Sequence, residues 1–115
     1  MRIVIALGGN ALLKKGEKQT YSTLISNIKK TCQQISPIIK KHQVVISFGN
    51  GPQIGLISLQ NELSKSKIPA MPLDILGAES QGLIGYPLEE QLVNTLRGHK
   101  KDVATILTQV LVDKK

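Results

Sequence analysis

Two hydrophobic rhythms alternate along the chain. Residues 2–7 (RIVIAL) and 43–47 (QVVIS) are short β-branched runs, each running into glycine, and predict buried strands followed by turns. Between them apolar positions recur at Leu24, Ile28, Cys32, Ile35 and Ile39, a helical spacing whose start Thr20 or Ser22 can cap. Pro37 lies inside that pattern and is expected to kink the helix or end it early. Residues 14–20 are polar and read as an exposed loop. Pro52 suits a first helical position and opens a second helix to about Ser64. Ile68 to Leu73 carries two prolines and reads as a connection. Asp74 is expected to cap a third helix towards Leu96, interrupted at Gly85 and Pro87 and stopped by Gly98. Residues 102–113 (DVATILTQVLVD) contain a third apolar run that predicts a strand.

Strands apolar on both faces, alternating with helices, predict an α/β fold with a parallel sheet. A bare final strand is an aggregation hazard, so the pattern points to an incomplete or partner-dependent sheet. Length supports one domain: 115 residues can bury roughly 65% of their unfolded surface. No repeat or low-complexity segment breaks it.

Composition narrows the function classes. With 41% hydrophobic and 20% charged residues the chain reads as a soluble globular protein. No apolar run is long enough for a membrane helix, and no signal-peptide pattern opens the chain. A single cysteine rules out an internal disulfide, and the expected setting is cytoplasmic. The net charge of +7 comes from separated basic pairs with only two arginines, and aromatic residues make up 3%, so no base-stacking platform accompanies the charge. Neither a nucleic-acid nor a membrane partner is expected.

The candidate chemistry lies in two glycine-rich turns, Gly8-Gly9-Asn10 and Gly49-Asn50-Gly51-Pro52, each directly after a predicted strand. Parallel strands release their C-terminal ends on one edge, so the two turns are expected to converge. Backbone N–H groups at glycine turns and helix starts make anion sites, for which a phosphate or a carboxylate is the usual guest. Asn10 and Asn50 add neutral donors. The bland alternative is that these glycines serve tight turns only. There is no Gly-Lys-Ser/Thr, which excludes a P-loop. Gly49-x-Gly51-x-x-x-Gly55 superficially matches a dinucleotide fingerprint, whose partner would be an acid near Asp74 at the end of a strand.

Five stretches, in order, resemble carbamate kinases of the amino acid kinase family: Ile5-Ala6-Leu7-Gly8-Gly9-Asn10-Ala11-Leu12; Gly49-Asn50-Gly51-Pro52-Gln53-Ile54-Gly55; Pro69-Ala70-Met71-Pro72-Leu73-Asp74; Ser80-Gln81-Gly82-Leu83-Ile84-Gly85-Tyr86; and Thr108-Gln109-Val110-Leu111-Val112-Asp113. Many other amino acid kinases carry a lysine two residues before the first Gly-Gly; here that residue is Ala6, as in carbamate kinases. Phe48 stands where the family usually has His, and Pro87 falls in a normally continuous helix.

The resemblance implies a three-layer α/β/α sandwich with a mainly parallel sheet, of which residues 1–115 would form a single, incomplete N-terminal lobe without the nucleotide-binding lobe. It implies phosphoryl transfer between ATP and carbamate, giving ADP and carbamoyl phosphate, with Mg²⁺ for the full enzyme. In many bacteria the family works in the ATP-forming direction, within arginine fermentation. Gly8, Gly9, Asn10, Gly49, Asn50 and Gly51 would cradle the transferred phosphoryl group or the carbamate. No residue is assigned as catalytic base, because a carbamate oxygen is already anionic, and no metal ligand is assigned. The chain by itself would bind no nucleotide and would not turn over. Its expected partner is a second copy or the missing C-terminal half. The competing readings are a non-catalytic remnant or subunit, and a dinucleotide-binding module.

The remaining polar candidates have plainer readings. Cys32 is expected in the core, His42 and His99 at helix C-termini, Lys14 and Lys15 in solvent, Asp74 as a cap and Met71 as packing.

Overall fold

The computed structural model describes residues 1–114. The order of elements is β1 (Arg2–Leu7), α1 (Gly9–Leu12), α2 (Tyr21–Lys41), β2 (Gln43–Phe48), α3 (Gly51–Ser64) and α4 (Leu73–Thr95). The strands β1 and β2 pair in parallel, from Arg2↔Gln43 to Leu7↔Phe48, as the α/β expectation requires.

Alternation decides which face of this sheet is covered. Ile5 and Leu7 of β1, with Val44, Ile46 and Phe48 of β2, pack against Ile28, Cys32, Ile35 and Ile39 of α2 and Ile84, Leu88 and Leu92 of α4. The opposite face carries Val4 and Val45, 71% and 64% exposed. Two layers of the expected sandwich are therefore in place, a sheet and one helical layer, with the second sheet face open among the described residues. No helix among them is long and apolar enough to cross a membrane.

Several local expectations need correction. The first glycine turn is followed at once by a short helix, α1, which four residues are too few to announce as a periodic pattern. Thr20 caps α2, its hydroxyl accepting from the Thr23 N–H at 3.2 Å. Pro37 does not end α2, which continues to Lys41. A proline leaves the carbonyl four residues earlier without its N–H. Here that carbonyl is Gln33, and the Ser36 hydroxyl donates to it at 3.2 Å. Asp74 does not cap α4 either: Pro72 is the N-cap, and Asp74 lies in the first turn, where its charge favours the helix dipole. α4 passes through Gly85 and the buried Pro87 without a break. After the helix, Gly98 takes the left-handed conformation (φ 84°) expected of a stop.

The largest departure is the third strand. The sheet has two strands, and residues 101–114 hold no regular structure. They nevertheless follow α4 in the opposite direction: Thr105 meets Gly85 and Glu89, and Thr108 meets Gln81. Strand propensity is present in this segment, but a strand exists only with a hydrogen-bonded neighbour, and β2 does not pair with it.

Candidate functional site

The two glycine turns leave from neighbouring positions. Because Leu7 pairs with Phe48, Gly8 and Gly49 emerge side by side at the C-terminal edge of the sheet, about 4.8 Å apart by strand spacing. Gly8 is the N-cap of α1 and Asn50 the N-cap of α3, with Pro52 in the first turn of α3. Gly8 has no side chain to cap α1, and the Asn50 side chain makes no cap bond to α3. The first N–H groups of a helix have no intrahelical partner, so those of the first turns of α1 and α3 open onto the same edge. Gly8, Gly9, Asn10, Gly49 and Gly51 are exposed, and Asn50 is half-buried.

What these glycines are for can be read from their surroundings. Among the described residues only Gly16 and Gly98 have a positive φ, so no left-handed turn demands Gly8, Gly9, Gly49 or Gly51. A Cβ added at any of those four would meet nothing within 4 Å. Neither backbone conformation nor internal packing calls for glycine, and each leaves open space where a Cβ would stand.

The two asparagines differ. Asn10 lies in α1 and is exposed. Asn50 is tied down: its Nδ2 donates to Ser80 Oγ at 2.6 Å, and Ser80 Oγ donates to the Gly77 carbonyl at 2.6 Å. One Asn50 donor is thus spent on α4, which fixes the β2–α3 turn against the body of the domain. Ser80 is fully buried. It was part of a recognised stretch, but nothing in its sequence spacing marked it as the support of Asn50.

Two further supports hold α1. Its last carbonyls have no intrahelical partner. Asn27 Nδ2 donates to the Leu12 carbonyl at 3.1 Å, and Thr31 Oγ1 to the Ala11 carbonyl at 3.2 Å. Asn27 also donates to Glu17 at 2.7 Å, and that carboxylate accepts from the Lys14 backbone N–H at 2.9 Å. These two bonds, the Lys14 one first, hold the Glu17 carboxyl below its ordinary value. Asn27 and Thr31 sit three residues after Leu24 and Ile28, on the buried stripe of α2. Polar residues in that stripe were the available signal.

Gln53, in the first turn of α3, is also buried, and its Oε1 has no partner among the described residues. It borders a cavity of about 100 Å³ walled mainly by Leu12, Leu24, Leu56 and Leu83.

Other candidates fall outside the site. Lys14 and Lys15 are exposed, Met71 is about half exposed, and His99 is exposed beyond α4. His42 is the C-cap of α2, and its carbonyl accepts from Lys101 Nζ at 2.8 Å. Cys32 is fully buried, and burial pushes its thiol up to about 11. Phe48 packs on the core. The dinucleotide reading loses its context: a Cβ at Gly55 would meet nothing within 4 Å, so that glycine serves no close helix–strand approach, and Asp74 is in a helix rather than at a strand end.

Comparison with known proteins agrees with the architecture. The amino acid kinase family profile matches residues 1–114. The carbamate kinase of Pyrococcus horikoshii is 51% identical over 119 aligned residues, covering 99% of this chain and 38% of that protein. The carbamate kinase of Rhizobium meliloti is 54% identical over 113 residues, covering 98% and 34%. Among solved structures, the carbamate kinase from Giardia lamblia bound to AMP-PNP superposes with TM-score 0.82 at 41% identity, covering 89% of this chain and 36% of that one. The crystal structure of project APE1968 from Aeropyrum pernix K1 gives TM-score 0.89 at 34% identity, covering 98% and 37%. The chain thus spans little more than a third of the relatives it matches.

Proposed function

The chain belongs to the amino acid kinase family, and from that premise we propose that it carries the phosphoryl-acceptor side of a carbamate kinase site. The observation behind this reading is that two glycine turns, whose Cβ positions at Gly8, Gly9, Gly49 and Gly51 are open, leave one sheet edge beside two helix starts. A side chain at any of the four would occupy the place where an anion meets the backbone.

In the proposed reaction, a carbamate oxygen attacks the terminal phosphorus of ATP, the bond to the bridging oxygen breaks, and carbamoyl phosphate and ADP form. The attacking oxygen carries its own negative charge, so no base is required of this chain. Phosphoryl transfer needs charge stabilisation and in-line placement more than covalent chemistry. Backbone N–H groups of the first turns of α1 and α3 would supply the former, fixed in advance and therefore without reorganisation during the reaction. The Asn50–Ser80 bond would hold the start of α3, and the Asn27–Leu12 bond the end of the short α1, against the body of the domain. Carbamate or carbamoyl phosphate is the proposed ligand, in a cytoplasmic setting.

The six residues assigned to this part of the site are glycines and asparagines and offer no carboxylate for Mg²⁺. Among the described residues no group of three or more His, Cys, Asp or Glu side chains is placed to hold a metal ion. The reading assigns neither Mg²⁺ nor the adenine nucleotide to residues of this chain, and turnover is not expected from these 115 residues alone.

Titration with carbamoyl phosphate or sulfate, followed by amide NMR, tests the reading. Shifts concentrated at Gly9, Asn10 and Gly51, and abolished by Gly51→Val, are expected. Shifts spread over the surface lysines and indifferent to that substitution would refute it.

A further inference from the structure

Two unpartnered polar atoms border one small cavity. Gln53, in the first turn of α3, is 3% exposed, and its buried Oε1 has no hydrogen-bond partner among the described residues. Gln19, in the loop before α2, is half-buried, and its Nε2 is likewise buried and unpartnered. Both line the cavity of about 100 Å³, into which each of the four helices sends one leucine: Leu12, Leu24, Leu56 and Leu83. The other such orphan among the described residues, His42 Nδ1, belongs to the opposite end of α2.

The chemistry of the walls selects the guest. Buried polar groups without partners are destabilising, so an orphaned acceptor and an orphaned donor at one cavity call for a bridging molecule. Water serves poorly. The space exceeds that of a single water, and each water needs about two to four polar partners, whereas two atoms on leucine walls are all that is left. The Thr20 hydroxyl, also at the cavity, is already spent on Ser22 and Thr23. No charged side chain lines the space, so an ion would lose its hydration without a counter-charge. An apolar cavity of about 150 Å³ admits benzene, so this smaller one suits about four or five non-hydrogen atoms. Thr20 and Tyr21 are exposed at its rim and give such a molecule a way in.

We propose that this cavity binds a small uncharged carboxamide: the ligand N–H donates to Gln53 Oε1, its carbonyl accepts from Gln19 Nε2, and a short alkyl group packs on the four leucines. An amide carries donor and acceptor on separate atoms, as two separate wall residues require, whereas an alcohol would have to reach both glutamines from one oxygen. Gln53 follows Gly51 by two residues, so this site shares the start of α3 with the glycine turns but differs from them in being neutral and mostly apolar. It rests neither on the family reading nor on anion binding.

Titration of the 115-residue chain with propionamide, followed by leucine methyl NMR, provides the test. Saturable shifts at Leu12, Leu24, Leu56 and Leu83 are expected, with intermolecular NOEs from the ligand's alkyl protons to those methyls. Propionate, of the same shape but charged, should bind at least tenfold more weakly. Gln19→Leu and Gln53→Leu each remove one polar partner and should weaken propionamide at least fivefold, while raising the urea midpoint because an orphaned buried group is gone. Gln19→Leu should leave the sulfate response at Gly51 as in the wild type, which separates this site from the anion site. Absence of saturable methyl shifts in the wild type, or equal affinity for propionate, would overturn the proposal. So would propionamide binding that neither glutamine variant weakens, or tighter binding of 1-propanol, which would make the guest an alcohol. Waters at both glutamine amides that propionamide fails to displace would overturn it too.

Discussion

Asn50 reaches across from the end of β2 to donate its side-chain N–H to Ser80 of α4, at 2.6 Å, and Ser80 passes a bond on to the Gly77 carbonyl. This relay couples the second glycine turn to a helix 30 residues further along the chain. Removing the Ser80 hydroxyl leaves a part-buried amide donor without its partner, which costs about 1–2 kcal/mol. Ser80→Ala is expected to lower unfolding stability in urea by that amount and to weaken sulfate-induced shifts at Gly51. Unchanged stability together with unchanged shifts would show that Asn50 holds its position without Ser80.

Much of this arrangement was legible in the chain, and what was not has physical causes. Strands β1 and β2 declared themselves through β-branched runs closed by glycine, and their parallel pairing brings the two turns to one edge, as expected from pattern alone. The supports of the turns were less visible, because Asn27, Thr31 and Ser80 are polar residues whose use depends on which carbonyl or amide tertiary packing brings opposite them. The segment 102–113 shows the reverse limit. Its apolar, β-branched composition is real, yet Ile106, Leu107 and Val110 remain exposed because strand formation depends on a neighbour that composition does not provide.

The passage of α2 through Pro37 gives a prediction with its own control. Ser36 donates to Gln33, the carbonyl that Pro37 leaves open. Ser36→Ala should therefore cost about 1 kcal/mol. In a Pro37→Ala background the residue-37 N–H can return to Gln33, and the cost of Ser36→Ala should shrink by about half or more. A double-mutant cycle in urea measures the coupling; strictly additive effects would mean that the Ser36 bond does not compensate for the proline.

Cys32 gives a pH signature. Its thiol is fully buried on α2, and burial raises it to about 11. A free cysteine ionises near 8.5. The folded value lies above the unfolded one, so this contribution to stability is complete below about pH 8.5 and is lost as pH rises towards 11. Stability should decline more steeply across that window for the wild type than for Cys32→Ala. Parallel pH profiles for the two proteins would show that the thiol ionises alike in both states.

Self-association is expected, though from a different surface than apolar content alone suggests. Of the apolar residues on α4, Leu76, Ile84, Leu88 and Leu92 are buried inside its own domain, while Leu73, Ile75, Leu83, Tyr86 and Val93 are exposed. Three of these exposed residues, Ile75, Tyr86 and Val93, share a face with Glu79 and Glu90, which disfavours a dry contact there. On the open sheet face Val4 and Val45 are directly paired, with Ala6 and Ser47 beside them at one end and Arg2 and Gln43 at the other, so its one charged group lies at the edge of the patch. Covering each valine is worth about 1.5–3 kcal/mol at most. The chain should therefore associate at micromolar concentration, with a two-fold dimer the favoured ordered form. The double substitution Val4→Thr, Val45→Thr keeps β propensity and should weaken association at least tenfold, read by sedimentation equilibrium. If the wild type and the double variant both sediment as 12.5 kDa monomers, the open face is not adhesive. If both associate equally, the contact lies elsewhere on the molecule.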